Sequence, residues 1–343
     1  MTNPHSLMAK ETAEAPDAVA RMLSENKSIC EDLAQRLKPS PPHLIVTCAR
    51  GTSDHAATYA KYLLETRIGI PVASAAPSVS SVYHSPQAMR GALFLAISQS
   101  GKSPDLVAAA SLAKQAGALV VAIVNTTESP LADAADIVLP LHAGPELSVA
   151  ATKSFITSLA SILQIVTLWR GDKTTKCTLQ DLPEHLTRAL ELDWSAAAQP
   201  IADTENLFVV GRGLGFGIAQ EAALKLKETS CLHAEAFSAA EVQHGPMALV
   251  GPGFPVLMFS QEDKTENSVI NLANTFSTRS EQIFLTSYKS SAATPLPALP
   301  NLDPAMAPIA HIQTFYGLAE KIARLRGLNP DEPPHLKKVT ETR

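Results

Sequence analysis

Three features of the 343-residue chain predict an α/β protein made of two tandem doubly wound parallel sheets. Short apolar runs of strand length alternate with Ala- and Leu-rich stretches of helical spacing, the pattern of βαβ units, whose ligands bind at the carboxyl ends of the strands. The pattern occurs twice. The two occurrences also align at a single spacing. Arg50-Gly51 falls on Arg212-Gly213 (213 − 51 = 162), and Ser98-Gln99 falls on Ser260-Gln261 (260 − 98 = 162). The same offset places Lys102 on Lys264 and Ser103 on Thr265, each motif following an apolar run at 95–97 or 257–259. Two motif matches at one offset indicate two copies of one domain. The expected organisation is N-terminal helices over 1–40, a first domain over 41–190, a second over 191–328 and a tail over 329–343.

Residues 7–37 carry Met8, Val19, Met22, Leu23, Ile29, Cys30, Leu33 and Leu37 among charges, with a break near Pro16. This spacing predicts two helices with a packing or dimer role. A buried strand is expected at 44–48, a loop at 50–54 with Ser53 or Asp54 as N-cap, and a helix over 55–65. Further strands are expected at 93–97, 120–124 and 137–139. In the second copy they are followed by a strand at 207–210, a loop at 211–213 and a helix over 219–228. The glycines at 211, 213, 215 and 217 do not have dinucleotide spacing, because Phe216 stands three after Gly213. They read as a turn with close packing, and no nicotinamide or flavin cofactor is expected. The prolines at 295, 297, 300, 304 and 308 mark a restricted loop before a helix over 309–326, and Pro333-Pro334 prevents a helical tail.

The composition excludes several classes. A net charge of −5 argues against a nucleic-acid binder, which would show a basic stripe. No apolar run approaches the ~20 residues of a membrane span, and the start, Met-Thr-Asn-Pro-His-Ser, lacks the charge pattern of a signal peptide. Cys30, Cys48, Cys177 and Cys231 are far apart and read as buried thiols in a reducing compartment, so a cytoplasmic protein is expected. No zinc-like spacing appears, and no metal is expected.

The chemistry concentrates in two stretches. After the run at 93–97 come Ser98-Gln99-Ser100-Gly101-Lys102-Ser103, between a strand and a helix start. Hydroxyls and free backbone N–H groups at a helix N-terminus suit a phosphate monoester, although the same residues suit a self-capping turn. The second copy decides between these readings. There Ser100-Gly101 is replaced by Glu262-Asp263, whose carboxylates repel phosphate, so the first copy is expected to hold it. The second stretch is 221–246. Lys225 and Glu228 share a helix face, with Glu221 four residues before Lys225. A surface salt bridge is the plain reading. A proton-shuttling carboxylate beside the ligand crevice is the functional one. His244 precedes Gly245-Pro246 and is expected at a turn, available for acid–base work, whereas His233 is expected to pack. Residues 146–155 start another helix, with Thr152 and Lys153 as its polar options.

Cys-Ala-Arg-Gly-Thr-Ser-Asp-His-Ala, Ser-Gln-Ser-Gly-Lys-Ser, Glu-Leu-Ser-Val-Ala-Ala-Thr-Lys-Ser-Phe, Glu-Ala-Ala-Leu-Lys-Leu-Lys-Glu, Ala-Glu-Ala-Phe-Ser-Ala-Ala-Glu-Val-Gln-His-Gly-Pro and the tail together resemble the sugar isomerase (SIS) domains of glucosamine-6-phosphate synthase and of stand-alone SIS-type deaminases. The resemblance covers roughly residues 10–343. It implies Ser98, Gln99, Ser100 and Ser103 as phosphate binders, and Thr52, Ser53, Val149 and Ala150 as sugar contacts. It implies Glu228 as the residue moving a proton between C1 and C2, with Lys225 as its neighbour. It implies His244 as the ring-opening residue, supplied by the other subunit of a homodimer, and Lys338 as a lysine able to form a Schiff base with an open-chain ketose. Arg50, Lys102 and Ala151 depart from the synthase, which has Cys, Glu and Ser there, and this bears on the substrate rather than the fold. With the first strand expected near Leu44, no preceding glutaminase domain is expected. The expected reaction is therefore deamination of an amino-sugar 6-phosphate, most simply glucosamine 6-phosphate to fructose 6-phosphate and ammonia. Aldose–ketose isomerisation, or deglycation of phosphorylated sugar–amino-acid adducts, uses the same residues. A sugar-phosphate sensor is the non-enzymatic alternative, and Glu228, His244 and Lys338 together argue against it.

Overall fold

A computed structural model describes residues 6–171, 178–287, 289, 291–336 and 338. Cys177 and Lys337, the tail lysine the sequence offers beside Lys338, lie outside the described residues. The chain forms two compact units. The first comprises residues 17–146 and 153–181. The second comprises residues up to 16, 147–152 and 182–338.

The first unit is built on five parallel strands: β1 (Ile45–Cys48), β2 (Val72–Ser74), β3 (Leu93–Ser98), β4 (Leu119–Val124) and β5 (Ile137–Pro140), in the order β2-β1-β3-β4-β5. β3 is buried at all six positions, as a central parallel strand covered on both faces must be. Phe94, Ala96, Val120, Ala122 and Val124 form its core with Leu106, Ala109 and Ala110 of the helix Pro104–Gln115. The helix Lys153–Arg170 is buried along almost its whole length. Its start is fixed by Glu146, which accepts from the Ser154 N–H at 3.0 Å and the Ser154 hydroxyl at 2.7 Å.

The second unit repeats the architecture with β6 (Asn206–Gly211), β7 (His233–Ser238), β8 (Val256–Phe259), β9 (Ile283–Thr286) and β10 (Thr294–Leu296), in the order β10-β9-β8-β6-β7. Read from its other edge, this is the order of the first sheet. The offset of 162 carries β1 onto β6 and β3 onto β8, so the duplication read from two motifs is a duplication of topology. Pro295 is tolerated because β10 is an edge strand. The helix Phe216–Ser230 packs on β6 and β7, and the helix Ala307–Leu325 packs on it in turn.

Several expected elements are corrected. The N-terminal region of 7–37 holds three helices, Leu7–Ala13, Ala15–Glu25 and Lys27–Leu37. Pro16 stands in the first turn of the second, where its missing N–H costs nothing. Neither Ser53 nor Asp54 is an N-cap. The helix Thr52–Arg67 starts earlier, after Gly51 at φ 54°. β2 and β7, both short or polar edge strands, have no apolar run to announce them. His233 is exposed at the start of β7 rather than packed, and Cys231 is exposed, at φ 51° after the helix Phe216–Ser230. Cys30 and Cys48 are buried, and burial pushes both thiols up to about 12.

Candidate functional site

In the first unit, the turning point of the strand order lies between β1 and β3. Crossovers leave in opposite directions there, the arrangement that places ligands at the strand ends in parallel α/β sheets. Both loops singled out in the sequence flank it. Ser98 is the last residue of β3 and is 7% exposed. Its hydroxyl accepts the Gly101 N–H at 3.0 Å, and the Ser100 hydroxyl accepts the Lys102 N–H at 3.3 Å. These contacts fold the loop into a tight turn. Gly101 has φ 65°, and a Cβ there would lie 2.2 Å from the Ser129 hydroxyl oxygen, so only glycine fits. Ser103 occupies the N-cap position of the helix Pro104–Gln115 but makes no side-chain cap hydrogen bond. The self-capping reading therefore fails for this residue. Among the described residues, none of the three hydroxyls donates a hydrogen bond, so all three remain able to donate to an anion.

On the β1 side of this point, Thr52 and Ser53 begin the helix that follows β1. The two loops are tied together by Arg50, whose Nε and Nη2 lie 2.8 and 2.7 Å from Oδ2 of Asp105. Asp105 is buried and half of Arg50 is exposed. This charged tie in the first turn after the serine loop had no local signal in the sequence.

The second unit has the same turning point, between β6 and β8, with different contents. Asp263 Oδ1 accepts from the Thr265 N–H at 2.7 Å and the Thr265 hydroxyl at 2.6 Å. Its Oδ2 accepts from the Gln261 side-chain amide at 3.0 Å, and that amide also reaches the Arg212 carbonyl at 2.9 Å. An internal carboxylate thus takes the donors that the first copy leaves open. Gly211 permits close packing as expected, since a Cβ there would lie 2.3 Å from the Gly215 carbonyl oxygen.

The helix after this turn carries the acid–base candidates. Lys225 is 1% exposed and pairs with Glu228 and with Glu221, the latter at 3.5 Å. Glu221 is fully buried and accepts from the Tyr316 hydroxyl at 3.3 Å. The Glu228 side chain is 21% exposed, the one carboxylate of the cluster that reaches solvent. The surface salt-bridge reading is therefore wrong for Lys225, which is interior. Tyr316 comes from the helix Ala307–Leu325, and no spacing could have linked it to Glu221. His244 ends the turn Glu241–His244 at the carboxyl end of β7 and is exposed, with Gly245 at φ 139° after it. Lys338 Nζ donates to the Ser148 carbonyl at 2.6 Å, next to Val149 and the fully buried Ala150. Thr152 and Lys153 are buried at the head of the helix Lys153–Arg170.

Two segments of the chain, residues 40–168 and 200–295, match the family model described as the SIS domain. The glutamine–fructose-6-phosphate aminotransferase (isomerizing) of Thermococcus kodakarensis is 33% identical over 98% of this chain. This chain spans 58% of that relative's length, or a little over half. Among solved structures, a candidate phosphosugar isomerase from Silicibacter pomeroyi aligns with TM-score 0.91 and 40% identity, covering 95% of this chain and all of that one. The C-terminal domain of glucosamine-fructose-6-phosphate aminotransferase from Francisella tularensis aligns with TM-score 0.84 and 28% identity, over 97% and 99% of the two chains. With two parallel sheets of one topology and a family match in each, the chain belongs to the SIS domain family.

Proposed function

We propose that the chain converts glucosamine 6-phosphate to fructose 6-phosphate and ammonia. The observation that carries this reading is the interior Lys225 gripping Glu228, which leaves one carboxylate on a rigid helix partly open to solvent. Related chains named for fructose 6-phosphate and for glucosamine support the substrate class. The phosphate is assigned to Ser98, Gln99, Ser100 and Ser103, and the hydroxyls of the three serines have no other acceptor among the described residues. Thr52, Ser53, Val149 and Ala150 are assigned to the sugar.

His244 opens the pyranose by moving a proton between the C1 hydroxyl and the ring oxygen, acting on the site of the partner subunit in a homodimer. Glu228 then removes the C2 proton of the open-chain aldehyde and returns it to C1, while a second proton passes from the C2 amine to the C1 oxygen. The resulting C2 imine takes up water and loses ammonia, leaving the ketose. Lys225 holds Glu228 in place, and Lys338 meets the open-chain carbonyl. A carboxylate suits this task because C1 and C2 are one bond apart and the same oxygen serves both.

The alignment at 40% identity with a candidate phosphosugar isomerase favours a second reading, a plain aldose–ketose isomerisation by the same residues. Deglycation of a phosphorylated sugar–amino-acid adduct belongs to the same chemistry. A panel of hexosamine, hexose and glycated-amino-acid 6-phosphates, scored for ammonia and ketose phosphate together, tests all three. Ammonia and ketose in equal amounts from glucosamine 6-phosphate is the expected result. Ketose without ammonia, from an aldose phosphate only, would overturn the deaminase reading.

A further inference from the structure

The N-terminal helix Leu7–Ala13 carries none of the chemistry above, yet it touches two segments that do. At its start, Asp331 accepts the N–H groups of Leu7 at 2.7 Å and Met8 at 2.8 Å. A carboxylate there satisfies two open N–H groups and complements the positive end of the helix dipole. Asp331 belongs to the segment that leads to Lys338. Further along, Glu11 is only 5% exposed and accepts the N–H groups of both Leu147 and Ser148. Ser148 is also the residue whose carbonyl accepts from Lys338 Nζ. One helix thus binds the tail at its first turn and the 147–148 segment from its interior.

The helix has little freedom of its own. The Ser6 hydroxyl accepts the Ala9 N–H at 3.1 Å and donates to Glu320 at 3.0 Å. At the other end the Gln313 amide donates to the Thr12 carbonyl at 2.8 Å. Met8 is fully buried between these points. Both partners, Glu320 and Gln313, stand on the helix Ala307–Leu325, which also carries Tyr316 of the Lys225 cluster.

We propose that Leu7–Ala13 is a clasp that sets the register of Lys338 on residues 147–150, with Glu11 and Asp331 as positioning residues. This rests on the proposed assignment of Lys338, Val149 and Ala150 to the substrate. Glu11 suits the task because two adjacent N–H donors need an acceptor with two lone-pair faces. A glutamine of the same shape would put an NH2 group where Oε2 now accepts the Ser148 N–H. The side chain of Lys338 has many rotamers, and fixing its tail and its acceptor in advance removes that entropy from the reacting state.

The test uses the full chain as Glu11→Gln and, separately, as Asp331→Asn. The second change is at a partly exposed position, which leaves Glu11 in place if the first variant folds poorly. The first readout needs no substrate. Limiting N-hydroxysuccinimidyl acetate is added, and acetylation of Lys338 is followed by mass spectrometry against Lys61 and Lys114 as internal references. The clasp predicts several-fold faster acetylation of Lys338 in both variants with the references unchanged. The second readout is turnover of the sugar phosphate that the panel identifies, where kcat is expected to fall about 10-fold or more with KM within about twofold. Unchanged acetylation in both variants overturns the clasp. Faster acetylation with unchanged kcat overturns its positioning role. A wild type that releases no ammonia overturns the deaminase reading and leaves the acetylation result to judge the clasp.

Discussion

Replacing Lys225 with methionine removes the cation from an interior ion cluster while nearly preserving side-chain volume. Lys225 is 1% exposed and Glu221 fully buried, so neither charge is relieved by water. Glu228, 21% exposed, turns outward more cheaply. Glu221 keeps its bond from Tyr316 but faces an apolar side chain in place of an ammonium. Breaking a buried pair from one side costs about 3–5 kcal/mol, because the remaining charge stays unpaired. For a unit of this size that corresponds to a midpoint lower by roughly 6–20 °C. Differential scanning calorimetry of Lys225→Met against wild type at pH 7 measures it. The double variant Glu221→Gln/Lys225→Met removes the stranded charge and is expected to recover more than half of the loss. Surface pairs cost about 1 kcal/mol or less. A single variant within that range, or a double variant no better than the single one, would refute the view of an interior cluster that holds Glu228 by charge.

Glu228→Gln keeps the side-chain shape and is expected to bind substrate normally while turnover falls on the order of 10²-fold or more. In heavy water the wild-type ketose should carry deuterium at C1, and near-normal turnover in the variant would remove Glu228 from the mechanism. Mixed Glu228→Gln and His244→Ala subunits should recover part of the activity through hybrid dimers, and no recovery after subunit exchange would place both residues in one chain's site. Ser100→Asp puts a carboxylate into the serine loop, and isothermal titration with the sugar phosphate should show binding weaker by about tenfold or more. Unchanged affinity would take the phosphate away from this loop. His311 is buried against Phe259, and burial lowers its ring to about 4 from an ordinary 6.5. The unfolded chain therefore takes up this proton first as pH falls. Stability present above about 6.5 should decline by about 2 kcal/mol between pH 7 and pH 5, and urea unfolding of His311→Phe should lack that part of the decline.

The sequence by itself determined the fold class, because buried parallel strands are written as continuous apolar runs and their loops as Gly, Ser and Thr clusters. The shared offset made the duplication legible without any structure. The Glu262-Asp263 change made the asymmetry legible, since two carboxylates cannot cradle an anion. Local order also disclosed the Lys225–Glu228 face and the turn at His244. Edge strands β2 and β7 escaped, being short or polar, and Pro16 was misread because proline ends one helix and begins the next with equal ease. Only the tertiary structure decided that Lys225 is interior. Burial of a charge depends on what packs above it, here Glu221 and a tyrosine 95 positions away in sequence. The same holds for the Arg50–Asp105 tie between two loops and for the helix that joins Glu11, Ser148, Asp331 and Lys338. Each depends on residues far apart in the chain, and no periodicity records which distant side chains a fold brings within hydrogen-bond distance.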